Sequence, residues 1–187
     1  MAVVLKKRRF TIEEYDRMAE AGVLSPEDRV ELIEGEIVEM SPIGTPHAGV
    51  VNRLTYVLSS RLGARAVVQI QNPVALPSVV SVPQPDVALL KPRPDFYAKS
   101  RPAPGDVLLV IEVMDTSADY DRRVKLGLYA QAGIVETWLV DLAANAVEVY
   151  RRPAGDRYQE ARTVSGGESI TLQAFPDLTL TIADILG

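Results

Sequence analysis

Glu112 stands inside Val107-Leu108-Leu109-Val110-Ile111-Glu112-Val113-Met114, an apolar run that reads as a central strand covered on both faces. An ionised carboxylate buried there without a partner is costly, so a cation, a raised pKa or a metal ion has to offset it. A Glu at an exposed strand end or in a buried salt bridge is the plain reading. A functional carboxylate is the sharper one. Asp86 follows Pro85 and precedes the apolar Val87-Ala88-Leu89-Leu90. Alone, Pro-Asp is a turn signature. With a strand Glu 26 residues later, it makes a two-carboxylate site of the kind that binds hard Mg²⁺ or Mn²⁺ at a phosphoryl-transfer centre. Beyond them, Arg122, Arg123 and Lys125 fall in the N-terminal half of a helix, where the macrodipole opposes cations. Either they form a solvated face or they serve another charge.

The composition narrows the chemistry. The 187 residues contain no Cys and a single His, His47, which excludes disulfides, zinc-thiolate sites, thiol nucleophiles and multi-His metal sites. Any metal must be held by oxygen. With 47% apolar and 24% charged residues the chain reads as one folded domain spanning 1–187, not a disordered segment. No apolar run is long enough to span a bilayer and the N-terminus does not read as a signal peptide, so a soluble, cytoplasmic protein is expected. A net charge of -5 argues against a generic nucleic-acid coat protein. The clustered Lys6, Lys7, Arg8 and Arg9 read as a flexible basic arm within residues 1–10, or as a phosphate-contacting one.

The elements that would position these residues follow from periodicity. Thr11 caps a short helix that stops at Ala21-Gly22, and Val30 to Met40 reads as a β-hairpin turning at Glu34-Gly35. His47 to Leu62 is an amphipathic helix through Val50, Val51, Leu54, Val57, Leu58 and Leu62. Ala66 to Leu76 reads as a strand with a proline-marked kink or edge, and Val87 to Leu90 as a short strand in a proline-rich stretch. After the Val107–Met114 strand, Thr116 to Gly133 is helical, Glu136 to Leu142 is a buried strand, and Ala143-Ala144-Asn145 turns it into Ala146 to Tyr150. Short strands and an Ile182 to Leu186 turn complete the chain. Strands on either side of a crossover helix, flanked by hairpins, predict a mixed sheet with helices, an α/β or α+β domain.

In that order and spacing the chain resembles the Uma2 family of proposed endonucleases, within the PD-(D/E)xK superfamily. The resemblance spans nearly the whole chain. It rests on Glu31-Leu32-Ile33-Glu34-Gly35-Glu36-Ile37-Val38, Met40, Ser41-Pro42, His47 and Pro85-Asp86-Val87. It continues through Val110-Ile111-Glu112-Val113, Asp121, Lys125, Tyr129-Ala130, Gly133 and Trp138-Leu139-Val140-Asp141.

The resemblance implies a restriction-endonuclease-like fold: a mixed central sheet flanked by helices, with extra N- and C-terminal hairpins. Asp86 and Glu112 hold Mg²⁺ or Mn²⁺ in this reading, and Asp86, Glu112, Lys125 and Glu31 are catalytic. The superfamily places its lysine two residues after the strand Glu; here that position is Met114, so Lys125 is the migrated replacement. His47, Arg122 and Arg123 are the substrate-binding candidates, DNA is the implied partner and substrate, and a homodimer is expected from the frequency of two-fold assemblies. Two other classes stay open: a catalytically silent nucleic-acid or protein-binding module on the same fold, and a metal-stabilised structural domain in which Glu112 merely pairs with Arg122 or Arg123. On the nuclease reading, replacing Lys125 by Met lowers the rate far more than the folding stability.

Overall fold

The structure is a computed structural model that describes residues 7–25, 27–115 and 118–187; Lys6 of the basic cluster and Thr116 at the expected helix start lie outside them. The central sheet has six strands in the order β3-β4-β5-β6-β7-β8. They are β3 (Val67–Ile70), β4 (Val87–Leu90), β5 (Val107–Met114), β6 (Glu136–Asp141), β7 (Ala146–Ala154) and β8 (Arg157–Ser165). Only β5 and β6 are parallel; every other neighbouring pair is antiparallel.

A parallel pair needs a crossover. Here it is a helical path of α3 (Ala118–Tyr120), a π-helical turn (Asp121–Lys125) and α4 (Leu126–Gln131). The backbone is right-handed helical on both sides of the π turn, at Tyr120 and Leu126, so the path is continuous and locally widened. A crossover must begin where β5 ends, and this one therefore returns over the end of β5 that carries Glu112.

The period of two along the strands sorts the core into two layers. Leu109, Ile111 and Val113 of β5, with Val87, Leu89, Trp138 and Val140, face α2 (Thr45–Leu62), whose Val50, Val51, Leu54, Leu58 and Leu62 are buried against them. The hairpin of β9 (Ser169–Leu172) and β10 (Phe175–Thr181) and the terminal α5 (Ile182–Leu186) complete that layer. On the other face Ala88, Leu90 and Val110 pack on Leu128, Tyr129 and Ile134. Glu112 shares the parity of Val110 and so points into this second layer.

An N-terminal unit covers the second layer's end. Helix α1 (Ile12–Glu20) has a reciprocal capping box between Thr11 and Glu14, and the Tyr15 hydroxyl donates to Val30 O. Strands β1 (Val30–Ile33) and β2 (Glu36–Glu39) meet through a two-residue turn in which both Glu34 and Gly35 have positive φ, the geometry that two-residue hairpins prefer. A side chain at Gly35 would come within 2.9 Å of Arg9 Cβ and Phe10 O, so glycine is needed there for space as well as for φ. In the described part of the basic cluster Arg8 pairs with Glu14, and the neighbouring Phe10 N donates to Gly35 O.

Several boundaries differ from the periodicity reading for local reasons. The Ala66–Leu76 strand is cut to Val67–Ile70, an edge strand, because Gln71 turns into the left-handed region at φ 48°. Helix α2 begins at Thr45, with Pro46 in its first turn where no amide donor is needed, so His47 sits inside that turn. The strand from Ala146 continues through Pro153 to Ala154, since the pairing with β8 persists beyond Tyr150. No helix among the described residues is long and apolar enough to cross a membrane.

Candidate active site

The β4–β5 register pairs Val87 with Ile111; one step further brings Asp86, just before β4, opposite Glu112. Like charges placed directly opposite across two strands repel. The pair is held by backbone donors on the same ladder. Val113 N donates to Asp86 Oδ2 at 2.8 Å, and Asp86 N lies 3.4 Å from Glu112 Oε2. The widened crossover turn lowers Lys125 onto the pair, with Nζ 3.2 Å from Glu112 Oε1. Tyr129, one turn beyond Lys125, donates its hydroxyl to the same oxygen at 2.5 Å. Single π-helical turns inside α-helices recur at functional sites.

Glu31 arrives from the N-terminal hairpin. Leu32 bridges Val82 in the segment leading to β4, which brings Glu31 Oε1 within 2.6 Å of the Gln84 backbone N–H and 3.0 Å of Lys125 Nζ. On the opposite side the first turn of α2 delivers His47, whose Nε2 is 2.9 Å from Asp86 Oδ2. Gln71 donates to Asp86 Oδ1 at 3.2 Å from the left-handed residue that ends β3.

Glu112 is 2% exposed and Lys125 5% exposed, so neither charge is screened by solvent. Burial pushes the Glu112 carboxyl up to about 8, aided by Asp86, Asp121 and Glu31 and opposed by Lys125. For Asp86 the raising effect of burial is outweighed by hydrogen bonds from His47, Val113 N and Gln71, and its pKa falls. Two adjacent carboxyls are thereby driven apart in acidity, the usual condition for giving them different roles. Burial works against the ammonium of Lys125, but Glu112, Glu31 and Asp121 overcome it and hold the group protonated. His47 is raised by its bond to Asp86.

A pH dependence follows. Because the folded Glu112 keeps its proton to about 8 while the unfolded residue loses it near 4.5, the folded state binds more protons across that window and stability falls as pH rises through it. His47, also raised, adds stability that is present below its unfolded pKa and is lost as pH rises through the folded one. Thermal melting of the metal-free protein between pH 5 and 8 should therefore show a declining Tm, and Glu112→Gln should flatten most of the decline. A Tm that rises across the window would show Glu112 to be ionised throughout.

Glu31, His47, Gln84, Asp86, Glu112 and Lys125 line a cavity of about 320 Å³, bounded also by Arg29, Met40, Ile43, Gly44, Asp115, Tyr120 and Asp121. Acidic residues outnumber basic ones in its wall. Asp86 commits Oδ2 to two donors and Glu112 commits Oε1 to two, which leaves Asp86 Oδ1 and Glu112 Oε2 with one long contact each. Among the described residues no group of three acidic or imidazole side chains forms a complete metal cage. Two hard oxygen donors in an acidic cavity suit Mg²⁺ or Mn²⁺, which keep water and substrate oxygens in the rest of their shell.

The structure thus brings together Asp86, Glu112, Lys125, Glu31 and His47. It leaves Arg122 and Arg123 out of the cavity wall. Arg122 bridges Asp141 and Glu148 at 2.5 and 2.7 Å, and Arg123 is exposed. Glu112 pairs with neither of them. Gln71, Gln84 and Tyr120 were not singled out from the sequence; the first two lie in aperiodic loops, whereas Asp121 and Tyr129 are legible as the four-residue neighbours of Lys125 on one helix face.

No curated protein matches the chain. A crystal structure described as that of a putative nuclease belonging to DUF820, from Anabaena variabilis ATCC 29413, superposes with a TM-score of 0.72 at 18% identity and covers 95% of this chain and 97% of that one. That likeness shows the fold. The sequence pattern described as "Uma2: Putative restriction endonuclease" matches residues 12–183, nearly the full length and every residue of the site just built. The chain belongs to the Uma2 family.

Proposed function

We propose that the protein is a metal-dependent endonuclease that hydrolyses phosphodiester bonds in DNA. The observation that carries the reading is the cross-strand Asp86–Glu112 pair with Lys125 Nζ 3.2 Å from Glu112. Asp86 and Glu112 would hold Mg²⁺ or Mn²⁺, which supplies Lewis-acid stabilisation of the phosphoryl group and lowers the pKa of a water. In the hydrolysis the water oxygen bonds to phosphorus, one ester P–O bond breaks, and the departing alkoxide takes a proton from solvent water. Lys125, held protonated, neutralises charge that builds on the phosphate oxygens. Glu31, fixed by Gln84 N and Lys125, stands ready to accept the water's proton. Tyr129 and the Val113 amide keep the two metal-facing carboxylates in place.

The acidic cavity repels phosphate until a cation is bound, so DNA binding and metal binding are coupled in this reading. Incubation of supercoiled plasmid with the protein should give nicked or linear DNA in Mg²⁺ or Mn²⁺ and none after chelation with EDTA. Intact plasmid at millimolar metal, with single- and double-stranded oligonucleotides also left whole, would overturn the nuclease reading in favour of a silent binding module.

A further inference from the structure

Tyr120 lines the cavity without a part in the site as built so far. Its hydroxyl is buried, yet among the described residues it has no hydrogen-bond partner. Three buried side-chain polar atoms share that condition, and two of them, Tyr120 Oη and His47 Nδ1, belong to walls of the same cavity; the third, Asp16 Oδ1, lies elsewhere and is ion-paired with Arg101. Buried polar atoms are almost always satisfied, and leaving one orphaned costs stability. A pair of orphans in one cavity marks a place where a ligand's polar atoms complete the shell.

The ligand class follows from what Tyr120 can offer. It adjoins the π-helical turn and stands among Glu31, Asp121 and Glu112, and none of these carboxylates takes its hydroxyl. Burial raises its pKa to about 12, so it carries its proton at working pH and acts as a donor. Resting on the nuclease reading above, we propose that Tyr120 is a substrate-binding residue that donates a hydrogen bond to a non-bridging oxygen of the phosphodiester undergoing cleavage. Lys125, five residues on, has its ammonium shared with Glu31 and Glu112, so an uncommitted donor on the same wall adds a directed hydrogen bond beside the charge that Lys125 supplies. The neutral hydroxyl also tolerates the acidic wall in the absence of substrate, where a second buried cation would have needed its own partner.

The test is Tyr120→Phe, which removes only the oxygen. Single-turnover cleavage of a DNA duplex in Mn²⁺ should slow by about 10- to 100-fold, the loss of one hydrogen bond to a charged group. The variant's Tm without DNA should equal or exceed that of the wild type, because an unsatisfied buried group has been deleted. A purely structural hydroxyl would show the reverse, a lowered Tm with cleavage intact. Wild-type cleavage by the variant, or a fall in its Tm, overturns the role of Tyr120 while leaving the nuclease reading standing. A wild-type protein that cuts no DNA overturns both.

Discussion

Glu112→Gln is expected to abolish metal-dependent cleavage while leaving the fold intact. The substitution keeps the size of the side chain and its place opposite Asp86, so the β4–β5 ladder and the second core layer are undisturbed. It removes one of the two anionic oxygens offered to the cation and replaces part of the acceptor pair with an amide N–H₂, which repels a metal. If the cation supplies several kcal/mol of charge stabilisation to the transition state, at about 1.4 kcal/mol per tenfold the rate should drop roughly 10³-fold. Stability should move the other way. The wild-type carboxyl is uncharged up to about pH 8 because ionising it in place is unfavourable, and an amide never faces that cost. Calorimetric titration with Mn²⁺ should show metal binding lost in the variant, and the wild type should release a proton on binding near neutral pH. Full activity in Glu112→Gln would remove Glu112 from the site. Weak metal binding with normal cleavage would move the metal to other ligands.

Glu112 was legible because it breaks an apolar run, yet the same logic shows where such reasoning stops. Glu136 opens an equally buried strand and is 0% exposed, but it is fully answered: Arg151 donates to it from Nε and Nη2, and Trp138 and Gln173 N donate as well. Arg151 is its cross-strand partner in the β6–β7 register. A buried acid therefore signals function only when its partner is shared or metal-like, and that depends on register and helix placement. The Ala143–Asn145 turn sets the β6–β7 register, so the Glu136–Arg151 pair can be counted out along the chain. The pairing of Glu112 cannot, because Lys125 reaches it through a π-helical turn, and Val124, Leu128 and Ala132 keep the same spacing with or without that extra residue. Arg122 fails for a related reason. Its position at the start of a helix suggested a free cation, whereas Asp141 and Glu148, from two strands it does not neighbour in sequence, absorb it. The sheet, the layers and the hairpins were visible as periodicity; Gln71 and Gln84 act through loop conformations that carry no period.

Lys125→Met should cost both activity and a large part of the stability, in contrast to the mainly kinetic effect that the sequence suggests. The side chain is 5% exposed and its ammonium bridges Glu31 at 3.0 Å and Glu112 at 3.2 Å, both carboxylates being 2% exposed. Removing the cation of a buried ion pair leaves an uncompensated charge, typically worth about 3–5 kcal/mol. For a chain of this length that corresponds to a Tm lower by roughly 6–20 °C at neutral pH. Adding Glu31→Gln to Lys125→Met should recover much of the stability, since the stranded Glu31 becomes an amide that still accepts from Gln84 N through its oxygen. That double variant should remain inactive, with neither the lysine charge nor the Glu31 proton acceptor restored. Cleavage that returns along with stability would reduce the ammonium to a structural counter-ion and remove Glu31 as the proton acceptor. An unchanged Tm in the single variant would show that the ammonium is not the charge that compensates buried Glu31.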